Sequence, residues 1–344
     1  MKKLNKLSQE RINRRKFLKL ASIGASAAVT SSFLAACAPA ATPMAAPTAA
    51  AAAKKLLIGF TNLLKSNPFC ATVEESCAKG VAKEGWDFYA LDNDLNADKA
   101  LANADAMVTK KVDFVWSFQA LESLGPIIYK KYADAGIPVI TLDAGMYKTV
   151  RFGADNWGAG VVAGEWLVDY VKKNWGGKVD GVVMTWVASW SSVVLGRIEG
   201  QISAFSQAFP EWNNDTVTKI DTTLDPAGAQ GAMTAWLNAH PDAHNIVATA
   251  LTNDAEALAF LAAAQAAGRE KDIVIVGGGG DQTAIAELKR PDNAFKGSVA
   301  FFPDRYGEFL VPITKDMLAG KPVSPDNFNE HLVLTRDNIK KYYP

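Results

Sequence analysis

The chain has 344 residues, of which 49% are hydrophobic, and its 36 basic and 36 acidic side chains balance to a formal net charge of zero. This balance hides an uneven distribution, because residues 1–36 hold eight of the basic groups and only one acid. The remainder has 28 basic and 35 acidic residues, a net charge of −7, which excludes a general attraction to nucleic acid or to anionic lipid.

Residues 1–36 are organised as an export signal, with a basic start, a short apolar core and small residues before a cut site. Arg14 and Arg15 resemble the twin-arginine signal for exporting folded bacterial proteins, although Asn13 stands where Ser or Thr is usual, so general secretion stays open. The Leu-Ala-Ala-Cys sequence that ends at Cys37 resembles a bacterial lipobox, which makes Cys37 the predicted lipidation site. Residues 21–36 are too few to span a bilayer, which needs about 20 apolar residues.

Residues 37–54 follow the signal and are rich in Ala, Pro and Thr. This composition cannot form a core and is typical of a spacer between a lipid anchor and a folded domain. The chain beyond it is too long for one typical domain and suits two of roughly 130–150 residues.

The next segment alternates short β-rich runs with longer amphipathic ones. Strands are predicted at 56–60, 86–91, 112–117, 137–142 and 149–153, and helices at 69–83, 97–110 and 124–135. Cys70 and Cys77 lie seven residues apart on the first helix, about 10 Å along its axis, which is too far for a disulfide.

The same alternation then starts again. Helices are predicted at 158–173, 195–209, 227–239, 254–267, 283–289 and 307–319, and strands at 179–185, 217–220, 245–249, 272–276, 297–300 and 332–335. Repeated strand–helix units predict parallel sheets that are covered by helices on both faces. The chain is therefore predicted to be an α/β protein with two similar halves.

Polar and aromatic side chains follow many of the predicted strands. In open parallel sheets, ligands bind beyond the carboxyl ends of the strands, so these side chains are the candidate site. They are Asn67, Phe69, Ser117, Phe118, Asp143, Trp186, Trp190, Asn253 and Asp281. A cleft between the two halves would bring them face to face.

The sequence motifs that would indicate a bound dinucleotide, a zinc site or a catalytic serine are incomplete or absent. The glycine run at 277–280 lacks the dinucleotide-binding spacing, because Gln282 stands where the third glycine is needed. His240 and His244 have no further histidine or cysteine nearby that would complete a zinc site. No Gly-X-Ser-X-Gly nucleophile motif occurs. We therefore predict a binding protein without cofactor or metal, not an enzyme.

Several short segments, in a specific order and spacing, carry a family resemblance. They are Asn67-Pro68-Phe69, residues 136–143, residues 153–156 with Gly160, residues 197–200, residues 240–242, and Asn253-Asp254 with Ala257 and Leu258. Together they resemble the ribose-type periplasmic binding proteins of ABC sugar importers, over nearly all of residues 55–343.

The resemblance implies a type I periplasmic binding protein fold. That fold has two flavodoxin-like (Rossmann-like) lobes with parallel sheets, joined by a hinge of three crossing strands. The first lobe would comprise residues 55–153 plus 304–327, and the second 154–303 plus 328–344. The crossings would fall near residues 153–156, 302–304 and 326–330.

The resemblance also implies roles for individual side chains. Asn67, Asp143, Arg197 and Asn253 would hydrogen-bond the hydroxyls of a sugar, and Phe69 would pack on its ring. Aromatic plates suit the apolar C–H face of a sugar, which adds Phe118, Trp186 and Trp190 as candidates.

The sequence departs from the family pattern at three places. Ala144 stands where an Arg is frequent, Gly278-Gly279-Gly280 where Phe-Asp-Gly is frequent, with Asp281 later, and Phe301 where a Gln is frequent. Three polar groups are lost and one aromatic ring is gained. The expected ligand is therefore less polar or larger than ribose, such as a glycoside or a deoxy sugar.

The resemblance implies a monomeric, exported lipoprotein, periplasmic or on the cell surface, that is held to a membrane through Cys37. Its lobes would close around a small-molecule ligand, expected to be a sugar, and the closed form would dock on an ABC permease. The alternative is a receptor subunit that presents the same ligand to a chemoreceptor or a sensor kinase.

Overall fold

The computed structural model describes residues 55–119, 122–146, 148–222, 224–291 and 293–344. The predicted export signal, Cys37 and the spacer lie outside these residues. Among the described helices, none is both long enough and apolar enough to cross a membrane.

The described residues form strands in two groups along the chain. The strands are β1 (Leu57–Asn62), β2 (Asp87–Asp92), β3 (Phe114–Phe118), β4 (Val139–Leu142), β5 (Val150–Gly153), β6 (Gly181–Trp186), β7 (Thr218–Asp221), β8 (Ile246–Ala250), β9 (Ile273–Gly279), β10 (Phe295–Ala300), β11 (Asp326–Phe328) and β12 (Val333–Leu334).

Helices alternate with these strands. They are α1 (Pro68–Lys83), α2 (Ala97–Lys110), α3 (Gly125–Asp134), α4 (Asn156–Trp175), α5 (Ser192–Ala208), α6 (Pro226–Ala239), α7 (Asp254–Ala266), α8 (Gln282–Leu288), α9 (Tyr306–Leu318) and α10 (Ile339–Tyr342). Many begin at a polar side chain that accepts a backbone N–H, as Asn67 does for α1 and Asn253 for α7.

The strands assemble into two six-stranded sheets. The first has the order β11-β5-β4-β3-β1-β2, and all its neighbours pair in parallel. The second has the order β12-β10-β9-β8-β6-β7 and is parallel except for the pair β10–β12. The predicted α/β fold with two parallel sheets is confirmed.

The ends of the predicted elements differ from the observed ends by three residues or fewer. The helix predicted from 195 starts at Ser192, because the Ser191 hydroxyl accepts the Val194 N–H at 3.4 Å and caps it earlier. The strand β9 runs three residues further than predicted, into the glycine run. The prediction lacks α10 and names β11 only as a crossing, since each has four residues or fewer.

The chain passes between the two sheets three times, after β5, after β10 and after β11. Hydrogen bonds join these crossings. The Asn329 N–H donates to the Gly153 carbonyl at 3.2 Å, and the Asn329 amide donates to the Phe301 carbonyl. His331 Nε2 accepts the Asp155 N–H at 3.0 Å, while its Nδ1 lies 3.0 Å from the Ala300 carbonyl. Because Nε2 accepts, Nδ1 carries the proton, and burial lowers the pKa of this imidazole.

Cys70 and Cys77 are both buried free thiols on α1. Burial raises the pKa of each thiol, so the unreactive protonated form dominates. Their packing against the first sheet identifies them as small core side chains.

Candidate functional site

Residues at and after the ends of strands of both sheets line a partly open cavity of about 50 Å³. This is several times the ~10–15 Å³ that a single water molecule requires, so a small molecule can occupy it. Eight of the eleven predicted ligand-binding residues line it: Asn67, Phe69, Phe118, Asp143, Trp190, Arg197, Asn253 and Phe301.

Nine further residues line the same cavity. They are Leu63, Leu64, Cys70, Gln119, Ala144, Val194, Leu224, Thr252 and Gly278. Leu63 and Leu64 directly follow β1, and Thr252 follows β8 and precedes Asn253. Their position after a strand could therefore have identified them as cavity residues from the sequence. Ala144, Gly278 and Phe301 all lie in the cavity wall, and these are positions at which the sequence departs from the family pattern.

The side chains of Ser117, Trp186 and Asp281 are not part of the cavity wall. Ser117 is 1% exposed within β3 and accepts a hydrogen bond from the Thr61 hydroxyl at 3.1 Å. Trp186 ends β6, and the Lys219 ammonium lies 5.0 Å from its ring centroid.

Asp281 serves as the N-cap of α8. Its Oδ1 accepts the Thr283 N–H at 2.8 Å and the Ala284 N–H at 3.1 Å. Sequence position after a strand cannot separate a capping carboxylate from a ligand-binding one, because both follow a strand and precede a helix.

Asp143 joins the cavity to the first crossing. Its Oδ1 accepts the Tyr306 hydroxyl at 2.8 Å and the Ala154 N–H at 3.2 Å, and its backbone N–H donates to the Phe152 carbonyl at 3.0 Å. Its φ is +57°, a left-handed conformation that Asp tolerates better than most residues. Burial raises the pKa of Asp143, and the nearby Arg197 guanidinium opposes that rise.

Arg197 extends from α5 into the cavity. Its Nε donates to Asn156 Oδ1 at 2.8 Å, its Nη2 to the same oxygen at 2.5 Å, and its Nη1 to the Leu251 carbonyl at 3.2 Å. The guanidinium carbon lies 4.7 Å from the centroid of Phe301 and 5.6 Å from that of Trp190. Burial lowers the pKa of Arg197, and Asp143 opposes that shift. These contacts fix the planar guanidinium group of Arg197 in one orientation.

Aromatic rings form one wall of the cavity. The centroid of Phe69 lies 6.4 Å from that of Phe118 and 6.2 Å from that of Phe301, in edge-to-face geometry. A Cβ on Gly279 would lie 3.2 Å from Phe69, so the glycine run lets this ring approach β9 closely. The run thus serves packing at the cavity.

A buried polar network lies behind the Asn253 side of the cavity. Asn253 Oδ1 accepts the Glu256 N–H at 2.9 Å, and its Nδ2 donates to Glu256 Oε2 at 3.1 Å. The Thr252 hydroxyl donates to the same carboxylate oxygen. Glu256 is fully buried and burial raises its pKa. Asn253 is therefore held by its own helix and presents one N–H hydrogen to the cavity.

Asp254 lies beneath the glycine run. Its Oδ1 accepts the Ser298 hydroxyl at 2.6 Å and its Oδ2 accepts the Asp281 N–H at 3.0 Å. Burial and, second, the Asp281 carboxylate raise the pKa of Asp254 to about 8. The native state thus holds a proton that the unfolded chain, with an Asp pKa of about 3.9, releases.

This shift predicts the pH dependence of the variant Asp254→Asn. Stability from a raised pKa is present at low pH and is lost as pH rises towards 8, because the native state binds the extra proton. Asn mimics the protonated carboxyl and does not titrate. We subtract the free energy of unfolding of the unsubstituted protein from that of the variant. We expect this difference to rise by roughly 2 kcal/mol between pH 6 and pH 8, because only the unsubstituted protein loses stability over that range. Urea unfolding across that range measures the difference, and a constant difference would contradict the prediction.

In the described part of the chain, no group of three or more His, Cys, Asp and Glu side chains is placed to hold a metal ion. His240 stacks on Trp236 with centroids 4.2 Å apart. His244 Nδ1 lies 3.0 Å from Asp272 Oδ1, at the surface. Each of these histidines therefore has a structural partner.

Comparison with known proteins gives consistent matches. The model of the periplasmic binding protein domain family matches residues 58–322. The ribose import binding protein of Salmonella typhimurium is 28% identical over 261 residues, which cover 75% of this chain and 83% of that protein.

Solved structures share the fold. A periplasmic solute-binding protein of an ABC transporter from Actinobacillus succinogenes, with bound D-allose, aligns with a TM-score of 0.73 and 18% identity, covering 84% of this chain and all of the other. A solute-binding protein from Agrobacterium vitis, with bound allitol, aligns with a TM-score of 0.73 and 21% identity, covering 85% and 99% of the two chains.

Proposed function

The chain belongs to the periplasmic binding protein domain family, and on that premise we propose that it is the extracytoplasmic substrate-binding lipoprotein of an ABC importer, with a sugar or polyol as its ligand. One observation carries the proposal. Asp143, which follows a strand of the first sheet, and Arg197, from a helix beside the second, line one cavity together with aromatic rings. A carboxylate, a guanidinium fork and aromatic faces are the groups that bind hydroxyls and the C–H face of a sugar ring.

Ligand binding and lobe closure are coupled in this proposal. A ligand that touches Asp143 and Arg197 at once stabilises only the closed arrangement, so binding changes the shape that a partner sees. The closed form then docks on a permease. The residues that bind the ligand are the eight predicted side chains of the cavity wall, without Ser117, Trp186 and Asp281.

The anchoring of the protein is proposed from the sequence. Cys37 carries the lipid, residues 38–54 form the spacer, and the chain acts as a monomer outside the cytoplasm. The lobes are proposed to comprise 55–153 plus 304–327 and 154–303 plus 328–344. The relative from Salmonella typhimurium is named as an import binding protein, which supports uptake as the role.

A thermal-shift screen with a panel of pentoses, hexoses, polyols and glycosides tests the proposal. A ligand that binds only the native state, at 100 times its Kd, stabilises the protein by about 2.7 kcal/mol, which raises Tm by several degrees. Amino acids and nucleosides serve as negative controls in the same screen. A panel in which only these raise Tm, or in which nothing does, would contradict sugar binding. Loss of uptake on deletion supports the importer, whereas loss of a behavioural response alone would assign the protein to a sensor.

A further inference from the structure

The cavity contains more hydrogen-bond donors than acceptors. We infer that its ligand is a monosaccharide in which an alkyl group replaces at least one hydroxyl hydrogen, as in an alkyl glycoside, or a hydrogen replaces at least one hydroxyl, as in a deoxy sugar. This inference rests on the proposed function, because it assumes that a sugar occupies the cavity. It follows from counting which polar atoms of the wall still have bonding capacity.

The donors come from three side chains. Arg197 uses three of its five N–H groups on Asn156 and on the Leu251 carbonyl, which leaves one hydrogen on each Nη. Asn67 uses its Oδ1 as the cap of α1, accepting the Phe69 N–H at 3.0 Å, so only its NH₂ group can serve a ligand. Asn253 likewise uses its Oδ1 within α7 and keeps one N–H hydrogen.

The acceptors are fewer. Asp143 uses its Oδ1 on Tyr306 and Ala154, and within the described part of the chain its Oδ2 accepts no hydrogen bond. Thr252 adds one acceptor site at most, because its hydroxyl hydrogen goes to Glu256 and one of its two lone pairs accepts the Thr185 hydroxyl at 2.6 Å. Gln119 also lines the wall, but an amide brings two N–H hydrogens with its one oxygen and does not reverse the excess.

Three backbone carbonyls of the surrounding loops are used as well. The Leu63 carbonyl accepts the Leu95 N–H at 2.9 Å, the Leu64 carbonyl the Asn67 N–H at 3.0 Å, and the Phe118 carbonyl the Asn93 amide at 3.3 Å. The Asp143 Oδ2 atom is the main side-chain acceptor that these contacts leave for a ligand.

The rest of the wall is apolar. Leu63 and Leu64 line the cavity from the loop after β1, Val194 from the first turn of α5, and Leu224 from the loop after β7. Ala144 adds a methyl group beside Asp143. Alkyl groups of a ligand gain about 0.8 kcal/mol per buried CH₂ against such a surface.

A sugar hydroxyl can both donate and accept, and its hydrogen needs an acceptor when it is buried. A hydroxyl hydrogen without a partner costs about 1–3 kcal/mol. One carboxylate oxygen satisfies two hydroxyl hydrogens at most, so a sugar with four or more hydroxyls leaves hydrogens unpaired. Ether oxygens accept the N–H groups of Arg197, Asn67 and Asn253 without adding any hydrogen, and alkyl groups need no polar partner.

Calorimetry with matched sugars tests the inference. Each parent hexose is compared with its 6-deoxy counterpart and with its methyl glycosides on the purified protein. We expect at least one modified sugar to bind tenfold or more tightly than its parent. Tighter binding of the 6-deoxy sugar would indicate a deoxy sugar as the ligand, and tighter binding of a methyl glycoside would indicate a glycoside. Parents that bind more tightly than all their modified counterparts would overturn the inference and leave the proposed function intact. If no sugar of any kind binds, the proposed function itself fails.

The variant Leu224→Asp tests the same balance from the protein side. Leu224 has a φ of +64°, a conformation that Asp tolerates, and the new carboxylate adds acceptors to the cavity without any N–H hydrogen. We expect the preference for the modified sugar over its parent to fall about tenfold.

Leu95→Asp is the matched control, because Leu95 is also a half-buried leucine with a positive φ, +51°, but does not line the cavity. Its preference should equal that of the unsubstituted protein. Tm values of both variants verify folding. An unchanged preference in folded Leu224→Asp, or an equal drop in both variants, would overturn the inference.

Discussion

Arg197→Ala is expected to weaken ligand binding about 100-fold. In our proposal the two remaining N–H hydrogens of Arg197 each make a charge-assisted hydrogen bond to the ligand, and bonds to charged groups are worth about 1.5–3 kcal/mol. The loss of both costs about 3 kcal/mol, which is roughly two factors of ten in Kd. The substitution also leaves the buried Asp143 carboxylate without the cation that opposes its pKa rise. Calorimetry with the ligand from the sugar panel measures the change.

The matched control is Arg269→Ala. Arg269 is a half-buried arginine that, like Arg197, lies beside the second sheet, and its Nη1 donates to the carbonyls of Leu237 at 3.1 Å and His240 at 3.0 Å. It does not line the cavity, so its loss should lower stability and change Kd less than twofold. If folded Arg197→Ala binds as tightly as Arg269→Ala, then Arg197 is a structural residue and not a ligand contact.

The sequence predicts the two sheets well because the evidence for them is local. Buried strands are continuous apolar runs, and caps such as Asn67 and Asn253 mark where helices begin. Short elements do not carry such signals. The polar β11 owes its existence to pairing with β5, a contact between residues about 175 positions apart.

The candidate site is predictable only in part, for a different physical reason. A position after a strand predicts that a residue lies at the correct edge of the sheet, and this finds Asp143 and Phe118. It does not predict which way a side chain faces. Ser117 precedes Phe118 by one residue and therefore points to the opposite face of β3, where it bonds Thr61.

The contacts of Asp143 with the crossings join residues that are distant in the sequence, so local sequence patterns cannot predict them. Asp143 binds the ligand in our proposal, and it also bonds Ala154 on the first crossing and Tyr306 at the start of α9, just after the second. Ligand contact and the hinge thus share one carboxylate. In our proposal a change in the position of Asp143 affects both the cavity and the crossing, and so couples ligand binding to lobe closure.

Gly153→Ala is expected to lower the free energy of unfolding by about 4 kcal/mol and to abolish tight binding. Gly153 has a φ of +148°, a region that is essentially restricted to glycine, where another residue costs about 1–3 kcal/mol. A Cβ there would also clash with Asp143 Oδ1 and would lie 2.8 Å from the Asp143 backbone nitrogen. Overpacking of this kind costs a further 1–3 kcal/mol and displaces the carboxylate from the cavity. Urea unfolding and calorimetry measure the two effects.

The control variant Gly136→Ala separates the cost of backbone strain at a positive φ from the cost of a clash with Asp143. Gly136 also has a positive φ, +68°, but a Cβ there would meet nothing within 4 Å. It should cost only the left-handed strain of about 1–2 kcal/mol and leave Kd unchanged. The excess cost at Gly153 then measures the contact with Asp143. Equal losses in both variants, with binding retained in Gly153→Ala, would show that the first crossing and the cavity are not coupled through this carboxylate.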